Sequence, residues 1–113
     1  MWLIIMDTLY NKSPFFKFFM NMNDQYLESI LKDIGFYDFN YPKTYLGLTY
    51  FLNAFRIQLI VYEVGNQWNY AGVDRETNNH FTQDLTDYKS FEECVKNGII
   101  ECCAYLSLKR KHE

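Results

Sequence analysis

Three cysteines and two histidines are the side chains of this sequence that could act as a nucleophile and its base. Cys94, Cys102 and Cys103 lie near the C-terminus, and His80 and His112 are the histidines. A reactive cysteine must form a thiolate, which needs a positively charged and partly open setting. Cys94 and Cys102 instead fall on the apolar stripe of a predicted helix, and Cys103 has no histidine close to it in sequence. The pattern favours structural thiols.

His80 also stands among acidic residues that could bind a metal ion. These are Asp74, Glu76, Asp84 and Asp87. Their spacing does not match the loop of an EF-hand, so a solvated polar loop is the simpler interpretation. The sequence has no CxxC pair, glycine-rich phosphate loop, GxSxG or HExxH pattern. We therefore expect no metal, no cofactor and no enzymatic activity.

The amino-acid composition narrows the classes of function and the cellular locations that remain. The 113 residues carry a net charge of −3, with ten Phe, ten Tyr and two Trp, and the basic residues are scattered. A nucleic-acid-binding protein usually has a basic face, so this balance argues against one. An odd number of unpaired cysteines fits a reducing compartment. The opening MWLIIM lacks a basic flank, and no apolar run reaches the roughly 18 residues of a membrane span. We expect a cytoplasmic protein.

The stretch from Arg56 to Asp74 is the best β-hairpin of the chain. Gly65-Asn66 between two strand-like runs predicts a two-residue turn, which pairs Val64 with Gln67 and Leu59 with Gly72. Because side chains alternate along a strand, the register divides the hairpin into two faces. The core face is predicted to carry Ile57, Leu59, Val61, Trp68 and Tyr70. The second face is predicted to carry Gln58, Ile60, Tyr62, Val64, Asn69, Ala71 and Val73.

Helical patterns lie on both sides of the hairpin. A helix from Asn23 or Asp24 should end at Gly35, and a second should begin at the cap Thr44 and reach about residue 55. The last helix begins with the capping box Ser90-Phe91-Glu92-Glu93. It carries Gly98 in its apolar stripe, where a missing side chain lets it approach the sheet. The sequence predicts an α+β fold of order α–α–β–β–(β)–α, with helices on one face of a small antiparallel sheet and a possible third strand in 79–85.

Residues 1–22 form an apolar and aromatic segment ahead of the domain at 23–113. Three interpretations stay open: a strand or short helix packed on the domain, an interfacial anchor, or a dispensable upstream extension. If the hairpin register is correct, the apolar side chains of the second face need a cover. Trp2 to Met6 or Phe15 to Met20 could supply it, and without that cover the second face could form a homodimer.

Residues 42–105 carry four motifs in order: Pro42 with Thr44, Phe51-Leu52, Trp68-x-Tyr70, and Tyr88 to Glu93. They correspond to a Pro-Thr helix start, an aromatic-Leu pair, an aromatic-x-aromatic return strand, and a Tyr-x-Ser-x-Glu-Glu helix start. This layout resembles that of a group of small proteins from tailed phages and gut-bacterial mobile elements. Lys43 and the helix cysteines depart from the layout. The resemblance implies a phage or mobile-element setting, where small acidic domains often bind a host or virion protein.

Apolar and tyrosine side chains that point away from the core could form a recognition surface, since tyrosine gives a large contact area at low entropic cost. The candidate partner-binding residues are Leu46, Tyr50, Ile60, Tyr62 and Val64. The favoured hypothesis is a non-enzymatic interaction protein that binds a protein partner, as an inhibitor or modulator. The alternative is a nucleic-acid-associated accessory protein, because the element order is similar to a double-stranded-RNA-binding domain and Lys109-Arg110-Lys111 is basic.

Overall fold

The computed structural model describes residues 2–5, 25–82 and 87–112. Its strands are β1 (Trp2–Ile5), β2 (Ile57–Val64), β3 (Gln67–Asp74) and β4 (Asn79–His80). Its helices are α1 (Gln25–Asp33), α2 (Tyr45–Ala54) and α3 (Phe91–Lys111), with a short 3₁₀ helix at Phe36–Asp38. The predicted α+β class and the predicted order of elements are confirmed, and β1 is added at the N-terminal end.

The hairpin has the predicted register. Val64 is paired with Gln67, Val61 with Tyr70 and Leu59 with Gly72. Gly65 takes a φ of 63° in the turn, a conformation that glycine adopts without strain. Because the register holds, the division into a core face and a second face holds as well.

The two outer strands extend the hairpin on either side in the order β1-β2-β3-β4. β1 runs antiparallel to β2, with Trp2 opposite Glu63 and Ile5 opposite Ile60. Residues 2–5 therefore widen the sheet in its own plane and do not lie across the second face. The other segment considered as a cover, residues 15–20, lies outside the described residues. Of the strand suggested in 79–85, Asn79–His80 forms β4, with His80 opposite Val73. Residues 81 and 82 are not in a strand, and residues 83–85 lie outside the described residues.

The core lies between the core face and the helices. α3 crosses β2 and β3, and α2 contacts both β2 and α3. Ile57, Val61 and Ile99 are completely buried. Trp68 is partly buried at the edge of this layer, where its ring centroid is 5.0 Å from that of Phe91 in α3. Trp68 therefore lies on the core face, as the register predicts, and contacts the last helix there.

Local capping accounts for the predicted starts of α2 and α3 and for the predicted end of α1, whereas the predicted caps Asn23 and Asp24 of α1 lie outside the described residues. The Thr44 side chain accepts a hydrogen bond from the Gly47 amide at 3.0 Å and begins α2. The Ser90 hydroxyl oxygen accepts one from the Glu93 amide at 3.3 Å and begins α3. Gly35, with a φ of 76°, follows the end of α1. The Thr44 and Ser90 hydrogen bonds each satisfy a backbone amide that a helix start leaves unpaired.

Gly98 lets α3 approach the sheet, as the sequence predicts. A Cβ atom at this position would lie 2.6 Å from Leu59 Cδ1 and 3.2 Å from Tyr70 Cγ. Gly98→Ala should therefore lower the free energy of unfolding by about 1 kcal/mol net, because overpacking costs about 1–3 kcal/mol and the helix preference of alanine returns about 1 kcal/mol. Urea unfolding measures this change in the free energy of unfolding.

Adding Leu59→Val to Gly98→Ala shortens the opposing side chain and should recover part of the lost stability. A Gly98→Ala variant as stable as the wild type would contradict the close contact.

A single strained residue makes the reversal from α2 into β2. Arg56 has a φ of 66°, and its amide donates to the Asn53 carbonyl at 3.0 Å. Its own carbonyl accepts from the Arg75 amide at 2.7 Å, which fixes the start of β2 against the end of β3. A left-handed conformation costs an L-residue about 1–2 kcal/mol, so this junction stores strain.

Arg56→Gly is expected to raise the free energy of unfolding by about 0.5–1 kcal/mol. Glycine removes the steric cost of the left-handed conformation, and this gain exceeds the extra entropy of the unfolded chain. Thermal unfolding should show a midpoint higher by a few degrees. Asn78→Gly is the matched control: Asn78 also has a positive φ, of 59°, but asparagine tolerates it, so its midpoint should hardly move.

Candidate functional site

A groove between α1 and α3 is the candidate functional site. It has a volume of about 280 Å³. The α1 wall consists of Tyr26, Ser29, Ile30 and Asp33, and the α3 wall consists of Ala104, Ser107, Leu108 and Lys111. Both walls have the spacing i, i+3, i+4, i+7, which places four side chains on one side of a helix over two turns.

The groove has a closed floor and open apolar edges. Ile30 and Ser107 are buried at its base, while Tyr26 is 62% exposed and Leu108 is 58% exposed. α1 buries Leu27, Ile30 and Leu31 against the core, so Tyr26 stands one position outside the buried stripe. At one end, Lys111 Nζ lies 3.9 Å from Asp33 Oδ2. The groove therefore combines exposed apolar surface with a charged rim, the usual anatomy of a binding patch.

The five candidate partner-binding residues predicted from the sequence lie on two separate surfaces. Leu46 and Tyr50 lie on α2, which packs on the core face, while Ile60, Tyr62 and Val64 lie on the second face of the sheet. Tyr50 is 44% exposed. The prediction that Leu46 points away from the core is wrong. Its side chain is partly buried and packs against the core cluster. The reason is that α2 contacts both β2 and α3, so it buries a wider stripe than one neighbour would require.

Burial of the side chains varies along the second face of the sheet. Val73 and Asn69 are buried, Ile60 and Tyr62 are partly buried, and Val64 is half exposed. The Asn69 side-chain amide donates to Asp87 Oδ1 at 3.3 Å. The hairpin end of this face is therefore its most accessible part.

A buried carboxylate joins β3 to α3. Asp74 is fully buried; Tyr105 donates its hydroxyl hydrogen to Asp74 Oδ2 at 2.7 Å, and Lys109 Nζ lies 3.0 Å from the same oxygen. The Glu76 amide donates to Asp74 Oδ1 at 3.0 Å. Phe81 stacks on Tyr105 with ring centroids 3.9 Å apart. Both carboxylate oxygens are therefore occupied, which is the arrangement of a structural link.

The hydrogen bonds around Asp74 decide its charge. Burial alone would raise the pKa of Asp74, but the hydrogen bonds from Tyr105, Lys109 and the Glu76 amide, with the charge of Lys109, hold the pKa below its ordinary value. The hydrogen bond to Asp74 raises the pKa of Lys109. The pair is ionised at neutral pH. Of the acidic group around His80 in the sequence, Asp74 and Glu76 thus face Lys109, which lies 3.5 Å from Glu76 Oε1.

His80 itself is exposed on β4, and Asp84 lies outside the described residues. Within residues 2–5, 25–82 and 87–112, no group of three or more His, Cys, Asp or Glu side chains is placed to hold a metal ion. In the same part of the chain, no helix combines the length and the apolar character needed to cross a membrane.

The three cysteines are core residues. Cys94 and Cys102 are buried as predicted, and Cys103 is buried as well. Burial raises the pKa of the Cys103 thiol, and burial, with Cys103 and Glu101 nearby, raises the pKa of the Cys102 thiol. Both thiols are therefore neutral at physiological pH, whereas a nucleophilic cysteine needs a lowered pKa. Sequence spacing alone could not place Cys103 inside, because α3 is covered on more than one side.

The basic run at the end of α3 is engaged with the rest of the domain. Lys109 contacts Asp74, and Lys111 contacts Asp33. Arg110 donates to the Ile34 carbonyl oxygen, and its guanidinium carbon lies 4.2 Å from the ring centroid of Phe55. The contacts of Lys109 and Arg110 use their positive charge inside the fold, whereas Lys111 stays largely exposed. All three cations are also favourably placed at a helix C-terminus.

The groove is the feature that sequence reasoning missed. Its signal was present in the helical pattern, because Tyr26 and Leu108 are apolar or aromatic residues that lie outside the core stripes of α1 and α3. Such a residue on each of two neighbouring helices can mark a shared surface. That α1 and α3 are neighbours was not evident, since about 60 residues of sequence separate them.

Comparison of the chain with protein-family models, with curated proteins and with solved structures finds no match. The candidate function therefore depends on the geometry of the surface and on the resemblance described from the sequence.

Proposed function

We propose that this chain is a small non-enzymatic interaction protein of the phage or mobile-element type, which acts in the cytoplasm by binding a host or virion protein as an inhibitor or modulator. The observation that carries the proposal is the groove between α1 and α3. Its exposed edges, Tyr26 and Leu108, place two large apolar side chains on either side of one cleft. Single exposed apolar residues are ordinary, but apolar residues that share a polar-rimmed cleft are typical of interaction surfaces.

The second face of the sheet is the other surface that this proposal includes. Val64 is half exposed there, next to the partly buried Tyr62. A partner or a second copy of the chain that contacts this face would cover the accessible hairpin end. Within the basic run of α3, Lys109 and Arg110 already contact Asp74 and the Ile34 carbonyl, which weakens the case for nucleic-acid binding as the alternative function.

Affinity purification from the native host tests the proposal. The tagged full-length chain should recover a specific protein, and the purified partner should bind the tagged chain in a direct assay. A charge in a desolvated contact is costly. If the partner binds the groove, Leu108→Glu should weaken binding at least 10-fold. If the partner binds the second face, Tyr62→Glu should have that effect. Thr77→Glu, at an exposed position of the β3–β4 turn, adds the same charge and should bind normally.

Thermal unfolding of each variant shows whether a loss of binding reflects a loss of fold. The proposal is wrong if no protein is recovered from the host. It is equally wrong if the recovered protein binds all three folded variants as tightly as the wild type.

A further inference from the structure

We infer that the outer edge of β1 joins two copies of this chain, with β1 of one copy antiparallel to β1 of the other. The two four-stranded sheets then form one continuous sheet. This contact is additional to the proposed function and needs no host protein.

The hairpin register decides which backbone groups of β2 point toward β1. In a hairpin with a two-residue turn, the residues that flank the turn exchange both backbone hydrogen bonds, and such bonded pairs recur at every second position. Val64 and Gln67 flank the turn, so the even-numbered residues of β2 bond to β3. The amides and carbonyls of its odd-numbered residues therefore point toward β1.

The same alternation divides the backbone groups of β1. Ile4 lies opposite the odd-numbered Val61 and bonds to it. Its neighbours Leu3 and Ile5 lie opposite even-numbered residues of β2, so their amides and carbonyls point away from the sheet. No strand in the described part of the chain pairs with this outer edge.

The opposite edge of the sheet, formed by β3, is closed. Trp68 exchanges backbone hydrogen bonds with Tyr88 at 2.7 and 2.8 Å, and the Gly72 carbonyl accepts one from the Phe81 amide at 3.1 Å. The Tyr70 amide donates to a neighbouring side chain at 2.8 Å. Natural sheets protect an open edge with charged residues, proline or a bulge. β1 has none of these devices, because its four residues are apolar and pair with β2 without a bulge.

The outward backbone groups of β1 are complementary to those of a second copy. A two-fold axis through Ile4 places Leu3 of each copy opposite Ile5 of the other. Each of these two pairs can exchange two hydrogen bonds, so every outward amide of Leu3 and Ile5 meets a carbonyl. β1 therefore carries both halves of the contact, which is the property of an interface between identical chains.

The helix nearest to the join adds contact area. α3 crosses both β2 and β3, whereas the strand contacts of α2 are mainly with β2, so α2 lies closer to β1. The two-fold axis is perpendicular to the joined sheet and keeps both helix layers on the same side, where the two copies of α2 approach each other. Tyr50 on α2 is 44% exposed. Because a four-residue strand pair is short, we expect a weak, concentration-dependent dimer.

Sedimentation analysis of the full-length chain tests the inference. The wild type should form dimers as its concentration rises toward about 1 mM, where weak complexes assemble. Ile5→Pro removes an outward amide, a change that a sheet edge tolerates. It should weaken dimerisation about 10-fold or more and leave the thermal midpoint of the dilute monomer unchanged. Ile4→Pro is the matched control: it removes an amide that bonds to β2, so it should lower that midpoint.

Two results would overturn the inference: a wild type that stays monomeric up to about 1 mM, or a dimer that Ile5→Pro leaves intact. A dimer that is sensitive to Tyr62→Glu or Leu108→Glu but not to Ile5→Pro would place the interface on the second face or in the groove. Either result leaves the proposed function standing, because the host experiment measures a different contact.

Discussion

Replacing Phe51 with alanine is expected to lower the free energy of unfolding by about 3–5 kcal/mol. Phe51 is completely buried on α2, at the centre of an aromatic cluster. Its ring centroid lies 5.0 Å from that of Phe55, 5.4 Å from those of Phe36 and Phe39, and 5.9 Å from that of Tyr41. Removing it opens a cavity and also ends edge-to-face contacts that add about 0.5–1.5 kcal/mol per pair.

Urea unfolding followed by fluorescence measures the Phe51→Ala effect. Phe39→Ala is the matched control, because Phe39 belongs to the same cluster but is 45% exposed. Its loss should cost about 1 kcal/mol, since water already reaches much of the ring. Equal effects of the two substitutions would show that the cluster is not organised around Phe51.

Replacing Asp74 with alanine is expected to lower the free energy of unfolding by about 3 kcal/mol at pH 7. Removing one partner of a buried ion pair leaves the other uncompensated and costs about 3–5 kcal/mol. The lower end applies because the Lys109 side chain is 19% exposed and can recover some hydration. Tyr105→Phe removes one hydrogen bond to Asp74 and should cost about 1 kcal/mol.

The pH dependence gives a separate test of the Asp74 link. Because the folded pKa of Asp74 lies below its ordinary value, its stabilisation is present above the unfolded pKa of about 3.9. It is lost as the pH falls through the folded pKa. The gap in unfolding free energy between wild type and Asp74→Ala should therefore be full at pH 7 and shrink below about pH 4. A gap that stays constant down to pH 2 would show that Asp74 does not act through its charge.

The sequence was most informative where structure is decided within a few residues. Gly65-Asn66 determines the hairpin register, and the Thr44 and Ser90 side chains cap the amides of their own first turns. Such local chemistry depends little on the rest of the chain. The close approach at Gly98 was also predictable, because a glycine within an apolar helical stripe removes the side chain that would hold a neighbouring element away.

The parts that escaped prediction depend on pairs distant in sequence. Asp74 looked like part of a polar loop, yet it is completely buried because Tyr105 and Lys109 reach it from α3. Leu46 looked exposed because one helical wheel cannot show that α2 has two neighbours. The groove escaped for the same reason, since its walls come from opposite ends of the described domain. Periodicity predicts which residues face inward, but not which elements meet.

The last turn of α3 is attached to the domain at three points. Lys109 holds Asp74 at the end of β3, Arg110 holds the Ile34 carbonyl, and Lys111 lies against Asp33 at the end of α1. A helix end normally frays at almost no cost in free energy. Here opening that turn would release α1 from one side and the sheet from the other. The last turn should therefore resist fraying, and its amide hydrogens should exchange more slowly than those of an unattached helix end.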